Sequence, residues 1–174
     1  TYGGARRMLI LSAKDRLRPA AITVAGRVLA AGILHVAGLG LVPDPRLGRV
    51  VLLPAPTRKS AARRRGGDIV TRMCHAAAEL YSGIEVHPVA WLDERSVDSV
   101  GLDRHQRREN VAGSILFDTA AIARLRGAEE AVIVDDVCTT GATTAQFALA
   151  LSARGVRAKL ALVTVSYTHL TLPT

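Results

Sequence analysis

The stretch AVIVDDVCTTGATT, residues 131–144, restricts what this chain can fold into more than any other part of it. Val132, Ile133 and Val134 are apolar and β-branched, the composition of a strand buried on both faces. Asp135 and Asp136 follow directly. Unpaired carboxylates are costly to bury, so such a strand must deliver them to its end, where a cleft meets water. Next come Thr139, Thr140, Gly141, Ala142 and Thr143, small residues leading into a helical apolar pattern. Strand, tight loop and helix in that order are the first half of a β-α-β unit with parallel strands.

The rest of the chain extends that alternation. RVVLLPAP, residues 49–56, reads as a buried strand that stops at Pro54. Ile69, Val70, Met73, Ala76, Ala77 and Leu80 predict a helix over 69–81, capped by Asp68 after Gly66 and Gly67. Residues 85–92 form a second strand, which Pro88 makes an edge or irregular one. Residues 93–110 are polar and without period, a long loop or mobile hairpin. A short helix is expected over 120–126, a strand over 130–134, a helix over 143–154 closed by Gly155, and a last strand over 156–164. The expected fold class is α/β, three-layered, with a mainly parallel sheet. Ligands of such sheets sit at the carboxyl ends of the strands, which puts Asp135 and Asp136 at the mouth of the site.

Residues 18–42 are rich in Ala, Leu, Val and Gly and nearly long enough to span a bilayer. Arg27 lies inside the segment, at a cost of about 2.5–3.5 kcal/mol near a membrane centre. A buried helix ended by Pro43 and Pro45 is expected instead, with no membrane partner.

Hydrophobic residues make up 49% of the 174 and aromatics only 3%, which argues against an aromatic platform for nucleic-acid bases. The net charge of +8 implies a polyanionic partner: phosphate, nucleic acid or anionic lipid. Cys74 and Cys138 are far apart and form no CxxC pair, so neither a disulfide framework nor a zinc cluster is expected, and the reducing cytoplasm is the default. Cys74 reads as core, and Cys138 as facing core or loop. His35 and His105 have no partners at metal-ligand spacing. The amino-terminal Thr reads as a cut start. The last ten residues, VSYTHLTLPT, resemble a translated sequencing adapter and are set aside as a non-native tail. The expected division is 1–48 as an amino-terminal helical or hood segment, 49–164 as the core and 165–174 as the tail.

Two adjacent carboxylates are poor ligands for a phosphate and good acceptors for vicinal hydroxyls such as those of a ribose. Bare amides and threonine hydroxyls at a helix start suit an anion. The combination favours a ribose bearing a 5′-phosphate. There is no GxxxxGK[ST], no GxGxxG and no GxSxG, which sets aside P-loop, dinucleotide and hydrolase readings.

The same stretch resembles the 5-phosphoribosyl-1-pyrophosphate (PRPP) motif of type I phosphoribosyltransferases: aliphatics, two acids, then a Thr/Gly-rich loop. The position of Thr139 is an acid in hypoxanthine/guanine-type enzymes and Thr in the orotate type, so the sequence leans away from 6-oxopurine salvage. Three further segments, YGGARRMLILSAKDRLR, LLPAPTRKSAARRRGGDIVTRM and GLDRHQRRENVAGSILF, are similar in order and character to segments of the ComF family. Ser99, where many members have Gln, and Arg65–Gly66–Gly67–Asp68, where Arg-Gly-aromatic-Asn is commoner, depart from its pattern.

The resemblance implies the type I phosphoribosyltransferase fold, PRPP as ligand with Mg²⁺, and a link to DNA uptake through single-stranded DNA or a helicase. It implies an amino-terminal zinc ribbon in many members, which no residues here supply. It assigns Asp135 and Asp136 to the ribose, and Thr139, Thr140, Gly141, Ala142 and Thr143 to the 5′-phosphate. Arg58 and Lys59 fall in the pyrophosphate loop, and Arg104, Arg107 and Arg108 in a lid. Arg63, Arg64 and Arg65 suit either job or a nucleic-acid backbone. Two readings stay open: a transferase that passes phosphoribose to an acceptor, and a non-catalytic PRPP sensor with a basic binding surface. No acceptor, general base or oligomeric state is legible.

Overall fold

In a computed structural model, the description covers residues 19–94, 114–125, 131–138 and 141–166. The helices are α1 (Pro19–Gly38), α2 (Lys59–Arg64), α3 (Ile69–Ala78), α4 (Thr119–Leu125) and α5 (Ala142–Ser152). The strands are β1 (Val50–Pro54), β2 (Ile84–Val86), β3 (Ala90–Leu92), β4 (Ile115–Phe117), β5 (Ala131–Cys138) and β6 (Ala158–Ser166).

Four strands form a parallel sheet in the order β2-β1-β5-β6, and β3 and β4 form an antiparallel pair. Strand alternation splits the core in two. Val50, Leu52, Val132 and Val134 face one way, against α1 and α3, where Ile33, Met73 and Cys74 are fully covered. Val51, Leu53, Ala131 and Ile133 face the other way, towards Ile122 and Leu125 of α4 and Phe147 and Leu151 of α5. The fold is therefore α/β, with a helical layer on each side of a mainly parallel sheet.

The chain passes from β1 outwards to β2 through α2 and α3, then returns to the other side of β1 with β5, and continues outwards to β6 through α5. The strand order thus reverses between β1 and β5. Right-handed crossovers in opposite directions require helices on opposite faces, which is how α3 and α5 lie. A reversal of this kind opens a crevice at the carboxyl ends of the two strands.

Several expected boundaries shift for local reasons. The strand expected over 85–92 is two strands: β2 joins the main sheet, Pro88 interrupts, and β3 pairs with β4 instead. Helix α1 stops at Gly38, ahead of Pro43 and Pro45. Gly40, at φ +71°, reverses the chain while the Leu41 N–H returns to the Val36 carbonyl at 3.0 Å. Asp68 caps α3 as expected, accepting from the Val70 N–H at 3.2 Å and the Thr71 hydroxyl at 2.6 Å. Gly155, at φ +80°, ends the turn after α5. β6 runs to Ser166, where Val165 pairs with Val137 and Ser166 with Cys138.

α1 is long and apolar enough to cross a membrane by length and composition. Its buried residues, Ala21, Ile22, Ala25, Gly26, Leu29, Ala30 and Ile33, recur at helical spacing, and all but Gly26 belong to the hydrophobic cluster shared with α3, β1 and β5. Gly26 has a packing cause: a Cβ placed on it would lie 2.5 Å from Ala76 Cβ on α3.

Candidate functional site at the sheet reversal

The first four residues of β5 are buried completely, between β1 and β6 and between both helical layers. Pairing with β1 ends at Pro54 opposite Val134, and the Ala55 N–H still reaches the Val134 carbonyl at 2.8 Å. From Asp135 onwards β5 keeps only β6 as a strand partner among the described residues. The expected strand end at Val134 is corrected in this respect: the strand continues to Cys138, and what changes at Asp135 is that β1 departs. The acids become reachable because a neighbour leaves the sheet. Both are half-buried.

Asp135 accepts the Asp136 backbone N–H at 2.8 Å and the Thr144 hydroxyl of α5 at 3.2 Å. The Thr164 hydroxyl lies 3.4 Å from the Asp135 carbonyl oxygen. Burial, followed by the charge of Asp136, pushes the Asp135 carboxyl up to about 6, partly opposed by the hydrogen bonds from Asp136 and Thr144. Neighbouring strand residues leave on opposite faces, yet these two carboxyls approach closely enough to repel. Such a pair gains from any ligand that supplies hydroxyl donors to it.

Gly141 is the N-cap of α5, at φ 70° and ψ 2°, and its carbonyl accepts the Ala145 N–H at 2.9 Å. Glycine is required here by the left-handed backbone. Gly141→Val is expected to lower stability by about 1–2 kcal/mol. Urea denaturation checks this through a reduced midpoint at unchanged slope. Ala142 and Thr143 open the helix and are half-buried. Thr139 and Thr140 lie outside the described residues.

Arg58 and Lys59 follow β1 on the same end of the sheet, Arg58 half-buried and Lys59 exposed at the start of α2. The fold therefore brings the acids, the Gly141 turn and the first basic pair to one end of adjacent strands. Arg63, Arg64 and Arg65 are exposed at the far end of α2. Arg104, Arg107 and Arg108 lie outside the described residues. Cys74 is buried core, and burial pushes its thiol far up.

Sequence reasoning missed Thr144, Ser60, Trp91 and Glu94. The last three meet around α2: Glu94 accepts from Ser60, and Lys59 lies over the Trp91 ring. No local signal marks the last three, because each of their contacts joins residues distant in the chain. Among the described residues, no group of three or more His, Cys, Asp or Glu side chains is placed to hold a metal ion.

No protein-family model matches the chain. No curated protein matches it either. Among solved structures, the chain is similar to the hypoxanthine phosphoribosyltransferase of Trypanosoma cruzi, studied for its carboxyl-terminal region, at 14% identity and a TM-score of 0.47, over 86% of this chain and 69% of that one. It is also similar to a point mutant of that enzyme complexed with the product IMP, at 15% identity and a TM-score of 0.45, over 83% and 62%. A third likeness is to a glutamic acid mutant from an analysis of an invariant aspartic acid in hypoxanthine phosphoribosyltransferases, at 16% identity and a TM-score of 0.45, over 82% and 64%. The chain spans about 64% of the length of that protein.

Proposed function

We propose that the crevice between β1 and β5 binds PRPP and that the chain has the type I phosphoribosyltransferase fold. One observation carries this reading: an acid pair, a glycine-capped helix start and a basic loop all leave the same end of two strands between which the sheet order reverses. Asp135 and Asp136 accept the ribose hydroxyls. The turn at Gly141, with Thr139, Thr140, Ala142 and Thr143, encloses the 5′-phosphate. Arg58 and Lys59 face the pyrophosphate; Arg104, Arg107 and Arg108, which lie outside the described residues, are assigned to a lid by the family resemblance alone.

In the transferase reading, the bond from C1 to the pyrophosphate oxygen breaks as an acceptor attacks C1. The sugar gains oxocarbenium character, and the pyrophosphate leaves with the bonding electrons. The residues act by positioning and electrostatics, with no covalent intermediate on the protein. Mg²⁺, when bound with PRPP, would neutralise charge on the pyrophosphate. Asp135 and Asp136 would offer two hard carboxylates to such an ion, and among the described residues no third His, Cys, Asp or Glu joins them.

The finer reading is a ComF-type, cytoplasmic protein linked to DNA uptake, with 1–48 as hood, 49–164 as core and 165–174 as a non-native tail. It is supported by the sequence order of the three ComF-like segments around the PRPP motif. A second reading, a PRPP sensor that binds single-stranded DNA or a helicase, is favoured by the exposed Arg63, Arg64 and Arg65. With so few aromatics, such binding would be phosphate-driven and steeply salt-dependent.

Two measurements separate the readings: pyrophosphate release from PRPP with a panel of bases and amines, and single-stranded DNA binding at low and high salt. Saturable PRPP binding by calorimetry is expected in both cases. Turnover with any acceptor selects the transferase, and binding without turnover selects the sensor. No PRPP binding at millimolar concentration would reject both.

A further inference from the structure

The end of β3 is fastened to the basic loop that follows β1. The Leu92 N–H donates to the Thr57 carbonyl at 3.0 Å, and Arg58 bridges to Leu92 in parallel fashion. The Lys59 ammonium stands 3.7 Å from the centroid of the Trp91 ring. Glu94 accepts the Ser60 N–H at 2.7 Å and the Ser60 hydroxyl at 2.5 Å. Three consecutive residues, Arg58 capping α2 and Lys59 and Ser60 at its start, are thus each tied to the segment 91–94.

We propose that Trp91 is the positioning residue for Lys59: its ring holds the ammonium at the mouth of the crevice, where the pyrophosphate moiety of the ligand is bound, while Glu94 fixes the backbone that carries it. The proposal rests on the reading of Arg58 and Lys59 as the pyrophosphate loop. Its physical basis is preorganisation. A free lysine must freeze a flexible four-carbon stem when it meets an anion, and one already seated on a ring has less freedom to lose. The ring engages one side of the ammonium and leaves N–H bonds on the other side for phosphate oxygens. Trp91 touches no reacting atom and acts only through Lys59.

Trp91 is the single tryptophan of the chain, which makes the test direct. Magnesium pyrophosphate is titrated into the full chain, with calorimetry and tryptophan emission as readouts. Wild type is expected to show a saturable change in emission. Trp91→Leu is expected to bind pyrophosphate about three- to fivefold more weakly, and Trp91→Phe to recover most of that loss. In a Lys59→Met background, Trp91→Leu is expected to cost nothing further. Uniform incorporation of fluorinated tryptophans alters only residue 91 and keeps its shape. Affinity should then fall stepwise as fluorination drains the ring's negative face, a series that stays informative even if Trp91→Leu does not fold.

An equal loss on Trp91→Leu with and without Lys59, or affinity indifferent to fluorination, would overturn the proposal by showing that the ring only fills space. Binding that needs Lys59 but ignores Trp91 sinks the proposal alone and leaves the pyrophosphate-loop reading standing. Absence of pyrophosphate binding in wild type rejects both.

Discussion

Changing Asp135 and Asp136 together to asparagine is expected to weaken PRPP binding at least about 100-fold and to raise, not lower, the thermal midpoint at pH 8. The loss of binding follows from hydrogen-bond chemistry. A carboxylate only accepts, whereas an amide presents an NH₂ on one side, so half of the acceptors offered to the ribose hydroxyls become donors. Bonds to a charged acceptor contribute about 1.5–3 kcal/mol each, and losing two such contacts accounts for the effect.

The gain in stability follows from linkage. The Asp135 carboxyl is raised from its ordinary 3.8 to about 6, so between those values the folded chain holds a proton that the unfolded chain has lost. Stability therefore falls as pH rises from about 4 to about 6, and the penalty is fully present above 6. Asparagine removes it. After allowance for the partial exposure of Asp135, about 1–2 kcal/mol is expected, or roughly 3–6 °C at pH 8 and nothing below pH 4. Calorimetric titration with PRPP and melting curves at pH 4 and pH 8 check the two halves separately. Unchanged PRPP affinity would remove the acid pair from the site. A midpoint that falls equally at both pH values would mean that the carboxyls hold the fold together.

The second large effect is structural. Gly26→Val is expected to destabilise the chain by about 2–4 kcal/mol. A Cβ there would lie 2.5 Å from Ala76 Cβ and 2.9 Å from the Ala76 carbonyl carbon, and α3 is itself packed on the sheet through Ile69, Val70, Met73, Cys74 and Ala77. Neither helix can retreat without opening the cluster that α1, α3, β1 and β5 share. Gly32→Val on the same helix meets nothing within 4 Å and serves as the control for helix propensity. Urea denaturation of the two variants isolates the packing cost. Equal losses would show that α1 does not bear on α3 as described.

Much of the fold was legible because its signals are local. The apolar run of β5, the Asp68 cap and the glycine that closes α5 each depend on residues within a turn or two of one another. The acids and the Gly141 turn were legible for the same reason, since they are neighbours in the chain. Sequence alone misplaced what depends on neighbouring strands. It ended β5 at Val134 because carboxylates do not belong in a buried strand. In the fold, β5 continues and is only half-buried at the acids, because β1 has left its side. It also joined β2 and β3 into one strand, since nothing local tells that their two halves pair with different sheets.

The amino-acid order by itself determined the alternation of strand and helix, the parallel sheet this requires, and the adjacency of an acid pair to a glycine turn at a helix start. Only the tertiary structure decided which strands are neighbours, and hence that the sheet order reverses between β1 and β5. The same packing decided that Thr144 supports Asp135, that Trp91 carries Lys59, and that Glu94 holds Ser60 from 34 residues away. The physical reason is separation along the chain. Periodicity and capping are short-range properties that a sequence displays openly. Contacts between distant segments are selected by the burial of the whole core, in which every element constrains the rest.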